Sequence, residues 1–255
     1  MSDQLEEVLR HRYVYVPQDT EKDTIQAGKW LGLAVAHALN RNLTVLAPQK
    51  GSATHHPELA KLAKLDIVTE RSGYPQDGGV VFVWRPTYKV MEKIQHLEES
   101  VVVLVEWIPG EFDAWAKLIG AYNVVTGEVM DAGLSAEALR ALEGIQYEGY
   151  NGWTKDTDEL MTRNFLGDLS KAGAYDRELV LACARQTRSE DSIERLKKIL
   201  DKFEASQFKL VQTFIRWLGT HCAGDLTPDE QTGAVNLAAG INRALTRRQP
   251  HGMLR

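Results

Sequence analysis

Cysteine is scarce in this chain: two in 255 residues, Cys183 and Cys222. Neither sits in a CxxC or other metal-type spacing, and so few thiols fit a reducing compartment. Long apolar runs are missing as well. No stretch approaches the roughly 18 residues that a membrane span needs. The start, Met1 to Glu7, is acidic and lacks the apolar core of a signal peptide. A cytoplasmic protein with no membrane partner is expected. Excess positive charge is absent too. The net charge is -5 and the pI about 5.8, so the chain has no bulk attraction for nucleic acid or anionic lipid.

Several catalytic and binding signatures are also missing. No GxGxxG follows the first strand, which argues against a dinucleotide-binding Rossmann site. No GxxxxGK[ST] is present, so a P-loop is excluded, and no GxSxG elbow marks an α/β-hydrolase. His55-His56 is the nearest thing to a metal motif. Adjacent side chains point apart, and no carboxylate or cysteine stands at ligand spacing, so no metal is expected. His221-Cys222 fails as a nucleophile and base for the same reason of adjacency. No cofactor can be named.

What remains is an ordinary globular composition, 44% hydrophobic and 25% charged, long enough for one large domain or two smaller ones. Short β-branched runs alternate with helical patterns. Strands are expected at 12–17, 43–47, 66–69, 79–84 and 100–105, with helices near 20–40, 58–64, 88–98 and 112–119. The helix to Asn40 is apolar nearly all round, with Gly28 and Gly32 four apart, which suits close packing on a sheet. A hairpin is expected around Thr126-Gly127, a short helix at 135–144 and a packed linker or lid at 145–153. Beyond Thr154 the pattern is helical throughout. Separate helices are marked by Ile193, Leu196, Leu200 and Phe203, by Leu210 to Leu218, and by the capped start Thr227-Pro228-Asp229-Glu230.

The alternation predicts an α/β fold, a three-layer Rossmann-like parallel sheet of order 3-2-1-4-5 over residues 1–133. An all-α helical domain over 134–255 follows. The layout of residues 12–119 resembles universal-stress-protein and HUP-type domains, where an aspartate, here Asp19, follows strand one and a long helix comes next. Arg85, Pro86 and Thr87 stand where ATP-binding members carry a glycine-rich loop. The segment Gly28 to Ala34 followed by Leu43 to Leu46 is similar to a helix and strand of nucleoside deoxyribosyltransferase-like folds. Lys29 and Trp30 stand where that family needs a glutamate.

In the expected order, strands one, four and five end side by side. Their ends carry Gln18 and Asp19; Trp84, Arg85 and Thr87; and Glu106 and Trp107. An indole stacks on a flat ligand, and an arginine grips a carboxylate or phosphate in a fork. A threonine caps the helix after it, and Asp19 or Glu106 is a candidate base or ribose acceptor. The bland alternative makes Asp19 and Thr87 helix caps, pairs Arg85 with Glu106 and packs the tryptophans. The expected function is a nucleotide- or small-anion-binding sensor or regulator. The alternatives are an enzyme that processes nucleosides or nucleotides in the same crevice, and an interaction module. The last would use the helices, or bind nucleic acid through Arg243, Arg247, Arg248 and Arg255. An open edge at strand three or five is available for a homodimer.

Overall fold

The computed structural model describes residues 3–19, 24–54 and 66–221. Five strands fall where the β-branched runs predict them: β1 (Tyr13–Val16), β2 (Leu43–Ala47), β3 (Asp66–Thr69), β4 (Val80–Trp84) and β5 (Val101–Val105). All five pair in parallel. The expected hairpin is present as β6 (Tyr122–Asn123) and β7 (Glu128–Val129), antiparallel to each other. Gly127 takes a positive φ of 72° at its turn.

The strand order is β3-β2-β4-β5-β1-β6-β7, which corrects the expected 3-2-1-4-5. The chain leaves β1 through α2 (Thr24–Leu39) and passes over two strand positions before it enters β2. Those positions are filled later by β5 and β4. The outer flank of β1 is taken by β6, with Val14 opposite Tyr122. A helical crossover tolerates a skip of this kind, so the economy of neighbouring connections misleads here.

The ends of β4, β5 and β1 nonetheless stay adjacent and level. Trp84 lies opposite Val105, and Val105 opposite Val16. The strands are buried on both faces, as a parallel sheet between helices requires. On one face Val14, Val16, Phe82, Trp84, Val103 and Val105 pack with Leu31, Val35 and Ala36 of α2. Gly28 and Gly32 allow this approach. A Cβ on Gly32 would stand 2.6 Å from Phe82 Cδ2, and one on Gly28 2.7 Å from Val105 Cγ2.

On the other face Tyr15, Val81, Val83, Val102 and Leu104 meet two short helices. These are α4 (Tyr88–Met91, continued by a 3-10 turn at Glu92–Ile94) and α5 (Asp113–Leu118). Numbered in chain order, α1 is Asp3–Val8 and α3 is Lys50–Thr54; α3 occupies part of 48–57, a stretch that its sequence between Pro48 and Pro57 predicts to be a loop.

The helical region begins with α6 (Ala136–Glu148), capped by the Ser135 hydroxyl and longer than expected. The segment 145–153 divides in two. Its first half completes α6, and Gly149–Asn151 makes one 3-10 turn. Trp153 is then buried, its Nε1 donating to Thr162 Oγ1 at 3.0 Å. Next come α7 (Asp156–Lys171), α8 (Arg177–Arg185) and α9 (Glu190–His221). The latter joins the two helices expected at 193–203 and 210–218, since no glycine or proline interrupts residues 190–218. Ile193 and Leu196 are fully buried on the expected face. Residues 1–199 form one compact unit, in which α8 packs on α5; its boundary falls inside α9. No helix among the described residues is long and apolar enough to cross a membrane.

Candidate functional site

The rim where β4, β5 and β1 end is built by three consecutive departures from the sheet. After β1 and β5 the chain turns to opposite faces, towards α2 and α5 respectively, and such a divergence leaves a crevice between neighbouring strand ends. Glu106 bridges that crevice. It is 1% exposed, and its carboxylate accepts from three backbone N–H groups: Gln18 at 3.2 Å, Gly110 at 3.1 Å and Phe112 at 3.0 Å. A buried carboxylate needs such donors, and these tie the loops after β1 and β5 together. These donors fix the Glu106 carboxylate in place, and the ion pair to Arg85 of the bland alternative is not among its hydrogen bonds.

Arg85 follows β4 with a left-handed backbone, φ 52°, which is uncommon for a residue with a Cβ. The Arg85 Cζ lies 3.6 Å from the centroid of the Trp107 ring, and Trp107 is 40% exposed. Gln18 completes the group. Its Oε1 is buried with no hydrogen-bond partner among the described residues. Asp19 stands next to it and donates its backbone N–H to Thr24 Oγ1 at 2.9 Å, at the start of α2.

Two expected members occupy other positions. The Trp84 indole is fully buried on the α2 side, donates to the Ser52 carbonyl at 3.1 Å and lies near the Phe82 ring. Its strand is apolar on both faces, so periodicity carries no hint of which side the indole takes. The exposed stacking ring is Trp107. Thr87 is the expected N-cap of α4, accepting from Val90 N at 3.3 Å, and it also donates to Glu70 Oε1 at 2.6 Å. That pair of bonds uses Thr87 within the protein.

Under the rim, Tyr15 donates to Asp113 Oδ1 at 2.9 Å. Burial, reinforced by Glu106 and Asp113, pushes the Tyr15 phenol far above its ordinary value. Asp113 went unmarked in the sequence, where its only signal was an acid in the first turn of an amphipathic helix. Beyond β1 a groove of about 510 Å³ opens between α1, α2 and the hairpin, with Val16, Ala27, Gly28, Trp30 and Val124 in its walls. Gly28 thus lines open space on one side while it packs on the sheet with the other.

No family model, curated protein or solved structure matches this chain. Among the described residues, no group of three or more His, Cys, Asp or Glu is arranged to hold a metal ion. His55-His56, Cys222 and the arginines at 243, 247, 248 and 255 lie outside the described residues, as does the cap at Thr227. Cys183 is a buried free thiol, pushed up to about 12 by burial and then by Glu143, which suits packing and not nucleophilic attack.

Proposed function

We propose that this protein binds a nucleotide or a comparable flat, anionic metabolite at the rim of β4, β5 and β1, and acts as a ligand-responsive regulator. The observation that carries the reading is Arg85. A charged residue holds a left-handed backbone and stacks on a half-exposed indole at the open end of a parallel sheet. Backbone conformations of this cost persist where surrounding structure enforces them, and they cluster at ligand sites. The guanidinium contributes charge, and with Trp107 it makes a flat surface that suits a base. Gln18 Oε1, buried without a partner among the described residues, supplies an acceptor for an exocyclic amine or a hydroxyl.

The regulatory part of the reading follows from Glu106. The carboxylate best buried at the rim is consumed by three backbone N–H groups, so proton transfer would fall to Asp19. The same three bonds give a ligand a route to the loop at 106–112, which leads into α5. A cytoplasmic setting fits the low cysteine content. A thermal-shift screen of the full chain against nucleotides and anionic metabolites tests the proposal, because a ligand that binds only the native state raises the melting temperature. At least one nucleotide should do so in the wild type and fail to do so in Arg85→Ala. A screen in which nothing shifts the wild type, or in which Arg85→Ala responds equally, contradicts it.

A further inference from the structure

A second cavity lies away from the rim, on the α4 and α5 side of the sheet and beneath α8. It measures about 250 Å³. Four aromatic rings stand in its walls, Tyr13, Tyr88, Phe112 and Trp115, beside aliphatic side chains such as Met91 and Ile94. Tyr13 meets Trp115 edge to face at 6.0 Å between centroids, and Tyr88 meets Phe112 at 5.1 Å, so the rings are braced against one another. Tyr88 is fixed further by donating its hydroxyl to the Glu111 carbonyl at 3.1 Å.

The charges at this cavity are unequal. Among the described residues that line it, Arg185 is the one cation, and Glu111 and Glu178 are the acids. Arg185 is already engaged. Its Nε donates to Glu190 Oε1 at 3.0 Å, both side chains being largely buried, and its Cζ sits 3.3 Å from the Tyr88 centroid. Gln95 donates to the Arg185 carbonyl, and the Glu190 N–H donates to Glu92 Oε1 at 2.8 Å, so the strap from α8 to α9 is pinned to α4. With Arg185 balanced by Glu190, Glu111 and Glu178 give the walls a negative surplus. Burial, followed by the Glu106 charge, raises the Glu111 carboxyl above its usual range, against the pull of Arg185. A cation in the cavity would relieve that.

We propose that this cavity is a binding site for a small organic ammonium ion, held by the faces of Tyr13, Phe112 and Trp115 and by the carboxylates of Glu111 and Glu178. Aromatic faces attract a weakly hydrated cation through their negative quadrupole, and a paired carboxylate adds charge. The volume lies just below the roughly 300–1,000 Å³ of sites for drug-sized ligands, which limits the occupant to a compact head group. A phosphate or carboxylate ligand is disfavoured, because it would face two acids with its one available cation already paired.

The experiment is a calorimetric titration of the full chain with choline chloride at matched ionic strength. The control ligand is choline's neutral carbon isostere, in which a tert-butyl group replaces the trimethylammonium. Saturable choline binding is expected, with the isostere bound roughly tenfold more weakly or not at all. Glu178→Gln, at an exposed position where the fold is easily kept, and Glu111→Gln should each weaken choline roughly tenfold. Arg85→Ala should leave choline binding intact, which separates this site from the rim. The proposal is overturned by any of four results: no saturable choline binding, equal binding of the isostere, unchanged affinity in both glutamine variants, or loss of choline binding in Arg85→Ala.

Discussion

Arg85 carries a cost that its neighbours must offset. A left-handed backbone at a residue with a Cβ is unfavourable by about 1–2 kcal/mol, and glycine escapes most of this. Comparing two substitutions isolates the backbone term. Arg85→Gly and Arg85→Ala both remove the side chain from Trp107, but only the first relieves the conformation. Arg85→Gly should be the more stable by about 1 kcal/mol in urea denaturation, net of its larger unfolded-state entropy. Equal stabilities would mean the loop re-forms without strain, and the case for a held, pre-set arginine would weaken. Neither variant should bind ligand at the rim. Sequence reading reached Arg85 and Trp107 as rim residues because both follow strongly patterned strands. It could not distinguish the buried Trp84 from the exposed Trp107, because a strand buried on both faces has no polar side to orient it. Nor could it assign Glu106, whose three N–H partners come from loops with no regular pattern.

At the level of elements, close contact between α2 and β4 is what sets the sheet in its place under the rim. Gly32→Ala would drive a methyl into the Phe82 ring, which is buried and has nowhere to move. Overpacking of this kind costs about 1–3 kcal/mol, more than the helix propensity gained from alanine. Gly167→Ala in α7 is the matched control, since nothing lies within 4 Å of its added Cβ. It should stabilise by up to about 1 kcal/mol, so the two variants should move the denaturation midpoint in opposite directions. The five parallel strands were legible because each is a short β-branched run bounded by turn residues. Their order was not. Apolar runs such as Val80 to Val83 and Val101 to Val105 carry no mark of which neighbour they pair with, and nothing in the expected hairpin shows that its first strand, β6, pairs in parallel with β1. The merging of two expected helices into α9 has a simpler cause: their apolar markers stop at Phe203 and resume at Leu210, yet no residue between them disfavours helix.

For the whole molecule, pH sets limits on both sides. Asp77 accepts from the Glu98 N–H, the Ser100 hydroxyl and N–H, and the N–H groups of Gly78 and Glu99, tying the entry of β5 to the turn before β4. Led by the Glu98 N–H and then the Ser100 hydroxyl, these donors hold its carboxyl well below the ordinary 3.8. A depressed folded value contributes stability above the unfolded value and loses it as pH falls through the acid range. Cys183 and Tyr88 act in the opposite sense. Burial raises the thiol from 9 to about 12 and the phenol from 10 to about 12, so their contribution is complete below pH 9 and disappears towards pH 12. Melting temperature against pH should fall at both ends. Asp77→Asn should flatten the acid limb only, and Cys183→Ala the alkaline limb only; a substitution that flattens the opposite limb would contradict these assignments.

Ligand binding by this protein is placed at the rim. Its direct test is isothermal titration of the full chain with the nucleotide that gives the largest thermal shift, in the wild type, Arg85→Ala and Trp107→Ala. Saturable binding to the wild type, weakened roughly tenfold or more in each variant, is the expected result, from the loss of a charge-assisted contact and of a stacking face. Wild-type affinity in both variants, or no heat of binding in any of the three, would contradict it.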